Sequence, residues 1–332
     1  MKVLVYGMGV IGSYLAHVLC VAGNDVTVLA RGKWKEHLER NGLRIHHHLQ
    51  RRDTTDHPRV IGSLEENDRY DAVFAVMPYD KIGTILAPLA EVDSPMVVLA
   101  GNNMSPKQMH DEILTHSPWR KEVLFAFQTT AGRRDMESGV LTCERLGVGR
   151  MDVGGLHSLP GAAAQEHLRR LFGSSGYKLC FQPDMEAFLI CHLAAILPVG
   201  YLAYANGGTM TTSTGKQRRQ ARLASREAYG LIRSLGYPIL PNGDEKYYEP
   251  GFGGVLMKLL YDVMAKNAAM GDLIACAHCR NAYSEMELLD DAFAAVIERA
   301  GTYPMPNWQA LKAQVPDRET LRRQYLRKRP ET

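Results

Sequence analysis

Gly7, Gly9 and Gly12 carry the spacing G-x-G-x-x-G within Gly7-Met8-Gly9-Val10-Ile11-Gly12. They follow an apolar run, Lys2 to Tyr6, that reads as a strand, and they open a stretch, Ile11 to Ala22, that reads as a helix. In that context the three glycines act differently. The first permits a tight turn, the second lets the backbone approach a pyrophosphate, and the third lets helix and strand pack closely. The free N–H groups and positive dipole end of the helix then receive the phosphates. Gly7, Met8, Gly9, Val10, Ile11 and Gly12 are therefore the expected cradle of a dinucleotide.

After the second strand, Asp25 to Leu29, an NAD-binding domain carries an acidic residue for the ribose 2′-hydroxyl. Here the residue is Arg31. A guanidinium has no use for a ribose diol but suits a 2′-phosphate through charge-assisted hydrogen bonds, so the expected cofactor is NADP(H). Lys33 or Lys35 could add a second cation, and either also reads as a solvated charge on the next helix.

The elements that must hold these residues alternate. Strand patterns at Asp71 to Met77, Met96 to Leu99 and Val123 to Phe127 continue the first two, with helical stretches such as Lys33 to Arg40 between strands. That alternation predicts an α/β fold with a doubly wound, Rossmann-type sheet. Short extended runs from Gly139 to Gly155 suggest a hairpin or meander at the sheet edge, and a helix at Ala162 to Phe172 and a strand at Tyr177 to Phe181 follow. Beyond Pro183 the pattern is helical: Asp184 to Asn206, Gly215 to Leu235, Gly254 to Ile274 and Glu285 to Ala300, then a shorter helical tail. The expected division is an NADP-binding domain at 1–182 and an all-helical substrate and dimerisation domain at 183–332.

The 332 residues carry a formal charge of +3, too little for a whole-protein field that would recruit nucleic acid. The basic stretch from Arg318 to Arg329 reads as a solvated helix. Spanning a bilayer takes roughly 20 apolar residues. The richest run, Ala187 to Ala205, is interrupted by His192, Pro198 and Gly200 and reads as a buried helix, so no membrane partner is expected. A strand beginning at Lys2 leaves no room for a cleaved leader, which points to the cytoplasm. Six scattered cysteines are expected to be free thiols, and Cys276-x-x-Cys279 encloses His278 without a second pair at zinc spacing, so no metal is assigned. His46, His47 and His48 read as a surface strand or loop.

Taken together, the glycine loop at residue 7, Arg31, Asn41-Gly42-Leu43, Asn102-Asn103-Met104, Thr129-Thr130-Ala131-Gly132-Arg133-Arg134, and Glu285 sixteen residues before Gly301 resemble the ketopantoate reductase (2-dehydropantoate 2-reductase) family over most of the chain. The resemblance implies NADPH as cofactor and a helical second domain closing a cleft over a small 2-oxo acid, with a homodimer plausible from the apolar helices. It assigns Asn102 to the nicotinamide side of the cleft and Glu285 to the substrate site. The family's lysine acid has no counterpart, since no lysine lies between Lys178 and Lys216, and a second family lysine is replaced at Pro78. Reduction of a carbonyl needs a proton donor, and His192 is the expected substitute, because an imidazolium titrates near neutrality. Tyr204 and Asn206 are weaker candidates for the pocket wall. Other readings on the same plan are an opine-type, imine-reducing or alcohol dehydrogenase and an NADP(H)-binding sensor without catalysis.

Overall fold

Strand-forming runs and amphipathic helices alternate through the first half of the chain, in a computed structural model that describes residues 1–65, 67–145 and 147–326. The first elements are β1 (Lys2–Tyr6), α1 (Val10–Val21), β2 (Asp25–Leu29), α2 (Gly32–Asn41), β3 (Leu43–His47), β4 (Arg52–Asp56) and β5 (Arg59–Ile61). Next come β6 (Ala72–Val76), α3 (Tyr79–Ile82), α4 (Leu86–Glu91), β7 (Met96–Ala100), α5 (Pro106–His116) and β8 (Glu122–Gln128). The half closes with β9 (Ala131–Asp135), β10 (Val140–Glu144), β11 (Arg150–Gly154), α6 (Ala162–Phe172) and β12 (Lys178–Phe181).

One sheet has eight strands in the order β12-β11-β8-β7-β6-β1-β2-β5. From β5 to β8 every pairing is parallel, and β11 runs antiparallel to β8. Chain order reverses at β1, with β2 and β5 on one side and β6, β7 and β8 on the other, which places the crevice of a doubly wound sheet at the carboxyl end of β1. β6 (AVFAV) and β7 (MVVLA) are buried at every position, as central parallel strands covered on both faces must be. The fold is the expected α/β architecture.

The chain divides into two compact units, the first Met1–Glu186 and the second beginning at Ala187. The regular elements of the second are helices: α7 (Met185–Ala205), α8 (Gly215–Ser234), α9 (Phe252–Lys266), α10 (Ala268–Gly271), α11 (Ala277–Asn281), α12 (Tyr283–Arg299), α13 (Pro306–Lys312) and α14 (Arg318–Tyr325). Among the described residues α7 alone is long and apolar enough to cross a membrane, and 78% of its most apolar stretch is buried inside the protein, as in a core helix. The Glu227 carboxylate of α8 accepts the backbone N–H groups of Asn307 and Trp308, meeting two orphan donors at the start of α13. The helix expected at Gly254 to Ile274 is broken. α9 stops at Asn267, whose side chain accepts from Met270 N and starts α10, and a π-helical turn follows at Asp272–Cys276. Arg318, Arg322 and Arg323 of α14 are exposed, as a solvated helix requires, and pair with Asp291, Glu287 and Glu319, while the basic residues 327–329 lie outside the described residues.

The extended runs at 139–155 do not form a hairpin. β11 joins the main sheet, whereas β10 enters a separate four-stranded sheet, β4-β3-β10-β9, by pairing parallel with distant β3. α1 packs on β1 and β2 and also on β3, β9 and β10. The surface reading of the histidine run is corrected here, since His47 has no exposed area. β3 alternates inward and outward, and His47 falls on the same face as Leu43 and Ile45.

This polar side chain is paid for by hydrogen bonds. Arg145 Nη2 donates to His47 Nδ1 at 3.1 Å, which leaves His47 Nε2 to donate to Thr54 Oγ1 at 2.8 Å and selects the neutral ring. Beside it, His17 Nδ1 meets Asp56 Oδ2 at 2.7 Å, and the Arg145 guanidinium lies 4.4 Å from the Tyr14 ring centre. Burial first, then the charges of His17, Arg145 and Arg52, push the His47 pKa down to about 4 against a smaller opposing effect of Asp56. The unfolded chain thus binds a proton below about pH 6.5 that the folded one refuses until about pH 4, so this stability is present above the upper value and lost as pH falls through the window. We expect wild type to lose about 2–3 kcal/mol between these limits relative to His47→Gln, measured by urea unfolding at each pH. Parallel pH profiles of the two proteins would refute the buried neutral imidazole.

Candidate functional site

The glycine loop joins β1 to α1 at the reversal point of the sheet. Gly7 has φ +107°, and a Cβ built on it would stand 2.3 Å from the Val76 carbonyl oxygen, so side chains are excluded there by conformation and by space. A Cβ on Gly12 would lie 1.9 Å from Gly7 O, which shows how tightly α1 is drawn against the loop. Gly9 is different: its Cβ would meet no protein atom within 4 Å. It is the helix N-cap, without a side-chain cap bond, and Ser13 N donates to its carbonyl at 3.0 Å. The α1 amino end thus presents backbone donors beside open space, a fit for a pyrophosphate.

Arg31 caps the start of α2 with extended backbone, and its Nη2 donates to the Tyr6 hydroxyl at 3.4 Å. Arg134, on β9, donates from Nη1 to Met8 O at 3.0 Å and stacks 5.4 Å from the Trp34 ring centre. One guanidinium thus rests on the Tyr6 side chain at the end of β1 and the other on the Met8 carbonyl in the turn, two positive charges beside the open space at Gly9. The sequence reading assigned no role to Arg134, although the Arg133-Arg134 pair was the signal at hand. Lys33 is engaged with Glu137 at 2.7 Å and Lys35 with Glu39 at 3.3 Å.

Asn102 is buried just past β7, after Gly101 turns the chain with φ +142°. Its neighbour Asn103 accepts from Ser105 N at 2.8 Å, a local bond that fixes the approach to α5.

In the second unit, His192 on α7, His278 on α11 and Glu285 in the first turn of α12 form a polar group. His278 Nε2 stands 3.6 Å from Glu285 Oε2, an ion-pair distance too long for a hydrogen bond, with the imidazole half exposed and the carboxylate buried. His192 has its pKa lowered to about 3, chiefly by burial and secondarily by His278, so it is neutral at physiological pH and does not rest as the expected imidazolium. His278 went unassigned in the sequence because its place between two cysteines drew attention to metals. Those cysteines are buried, with pKa raised by burial to about 11 for Cys276 and about 12 for Cys279, and none of the six cysteines is in a disulfide. No group of three or more metal-ligating side chains occurs among the described residues. Tyr204 donates to Cys279 O and packs against Tyr283 and Tyr325, and Asn206 donates to Leu202 O, so both have structural work that their candidacy for the pocket wall did not anticipate.

Strand order and glycine loop define a Rossmann-type domain, followed by a helical one. Residues 3–154 match the family model described as ketopantoate reductase PanE/ApbA. A curated relative, the uncharacterized oxidoreductase YkpB of Bacillus subtilis (strain 168), is 35% identical over 86 residues, which spans 26% of this chain and 27% of that protein. The fold extends over the whole length: the 2-dehydropantoate 2-reductase of Geobacter metallireducens GS-15 superposes with a TM-score of 0.72 at 17% identity, covering 95% of this chain and 99% of that one. A ketopantoate reductase of Staphylococcus aureus described as dimeric gives a TM-score of 0.61 at 11% identity, covering 98% and 99%.

The two glycines make opposite predictions. Gly9→Ala should leave the melting temperature of the unliganded protein unchanged while weakening cofactor binding by about tenfold or more, because its methyl group enters only the space reserved for phosphate. Gly12→Ala should lower both, since α1 must shift off the loop. Thermal melts and fluorescence titration with NADPH separate the cases, and full cofactor affinity in Gly9→Ala would show that the phosphates lie elsewhere.

Proposed function

We propose that the protein is an NADPH-dependent oxidoreductase of the ketopantoate reductase type, reducing the carbonyl of a small 2-oxo acid, 2-dehydropantoate or a close relative. The observation that carries this reading is the glycine-lined β1–α1 turn, open at Gly9, with Arg31 bonded to Tyr6 and Arg134 to Met8 O. Residues 7–12 bind the pyrophosphate through backbone N–H groups. Arg31 takes the 2′-phosphate, with Arg134 beside the turn and Lys33 ready to assist if it releases Glu137. Asn102 serves the nicotinamide side. When bound, NADPH supplies a hydride.

As hydride reaches the carbonyl carbon, charge develops on oxygen and a proton must arrive there. We assign that proton to His278. Its exposure allows recharging from solvent, and buried Glu285 supplies the opposite charge beside it. His192 acts as a neutral ring that orders the group. One hydride and one proton convert the carbonyl to a secondary alcohol, leaving the neutral imidazole and NADP⁺ behind.

The function is tested by following loss of reduced-nicotinamide absorbance with ketopantoate and a panel of other 2-oxo acids. Turnover supports the reading, and NADPH binding without turnover on any of them overturns the reductase assignment while leaving the cofactor site. Arg31→Ala should cost NADPH roughly tenfold to a hundredfold in affinity and leave NADH unchanged. An unaltered ratio removes the 2′-phosphate argument. His278→Gln should retain NADPH affinity, lose about a hundredfold in kcat and flatten the pH dependence of kcat/KM. A wild-type profile in that variant excludes His278 as the acid.

A further inference from the structure

α8 packs on α9 inside the second unit, and polar side chains are enclosed between the two helices. Arg222 and Ser225 stand three residues apart on α8 and so share a face, which Tyr261 of α9 meets. Ser225 has no exposed area, Tyr261 is 1% exposed, and Arg222 is half-buried. Ser225 Oγ, Tyr261 Oη and Arg222 Nε are all closed to solvent, and none completes a hydrogen bond within the protein. Interiors rarely leave such groups unmatched, because each loses its hydration without return.

The unmatched atoms converge. The Tyr261 hydroxyl stands beside Ser225 and within the field of Arg222, and the hydroxyl of Tyr248, just past the turn Asp244–Tyr247, faces Ser225 as well. Tyr229, one helical turn beyond Ser225, packs its ring 5.5 Å from that of Tyr248. Burial first, and then neighbouring Tyr248, hold the Tyr261 hydroxyl well above its ordinary pKa, so it keeps its proton and can donate.

The donor set selects the occupant. A guanidinium N–H can only donate and the hydroxyl protons turn to suit, so the group that satisfies all of them at once is an acceptor. Charge narrows the choice. Asp262 of α9 is taken by Arg218 at 2.9 Å and Lys258 at 3.1 Å, and Glu245 by Arg233 at 3.3 Å, while no carboxylate among the described residues pairs with Arg222. Water would match the hydroxyls but leave the guanidinium uncompensated, whereas an oxyanion answers both.

We propose that Arg222, Ser225 and Tyr261 bind one small inorganic oxyanion, phosphate or sulfate, between α8 and α9. The bound anion ties the two helices together. The proposal is independent of the reaction assigned above.

Calorimetric titration and thermal melts of the full chain with sodium phosphate, sulfate and chloride at constant ionic strength test it. Wild type should bind phosphate or sulfate saturably, with a melting temperature that climbs with the logarithm of anion concentration, and chloride should do neither. Arg222→Gln should lose this component. Arg222→Lys, which keeps the charge without the planar fork, should weaken it by roughly tenfold. Ser225→Ala should weaken it by about threefold to tenfold, judged by the anion-dependent increment rather than by the absolute melting temperature. All three variants keep the glycine loop, so their difference from wild type separates this site from any phosphate taken there. A wild type that binds neither oxyanion, or an Arg222→Gln variant that responds as wild type does, would overturn the site and leave its donors to water alone.

Discussion

Gly12 and the Gly7 carbonyl approach so closely that no side chain fits between them, and this contact sets most of the first domain. It pulls the amino end of α1 onto the carboxyl end of β1, where chain order in the sheet reverses. Once α1 is held there, its unsatisfied donors face the crevice, and β2 delivers Arg31 to the same edge one crossover later. The Tyr6 hydroxyl, at the end of β1, then receives the guanidinium. A single steric condition at two glycines thus aligns a dipole, a set of donors and a cation.

The outer side of α1 meets a second constraint. Helices on such sheets ordinarily turn a polar face to water, but here β3, β9 and β10 cover the helix, and its polar residues have to be satisfied internally. Ser13 donates to Met8 O, Tyr14 to Val148 O, and His17 joins Asp56. Buried polar groups stabilise little by themselves, but leaving any one unmatched is costly. The network therefore specifies register more than it adds stability: a one-residue slip of β3 would turn His47 outward and separate it from Arg145.

Much of the main sheet was legible because its strands are apolar and local pattern decides their state. The four-stranded sheet was not. β4 reads Arg-Asp-Thr-Thr-Asp and β9 reads Ala-Gly-Arg-Arg-Asp, neither with an apolar alternation, and both are strands because β3 and β10 supply the partners. The parallel pairing of β3 with β10 joins segments far apart in the chain, a contact that no window of sequence contains. In the second domain, the interruption at Asn267 was hidden because the apolar periodicity continues on both sides while a single side-chain cap restarts the helix. Site residues followed the same division. The glycine loop and Arg31 are local signals, whereas Arg134 matters only because β9 crosses the loop, and His278 only because α11 and α12 bring it to Glu285.

His192 and His278 illustrate why residue type alone does not rank two candidate acids. Two imidazoles within electrostatic reach do not both hold protons readily, and the one with less solvent around it gives way. Burial and the charge of His278 both keep His192 neutral. His278 has the opposite setting, with solvent on one side and the Glu285 carboxylate on the other. An acid that must be recharged in every turnover needs both: a counter-charge to hold the proton and an open path to replace it. In the reaction proposed above, the half-exposed imidazole beside a carboxylate is the group assigned to meet the developing alkoxide.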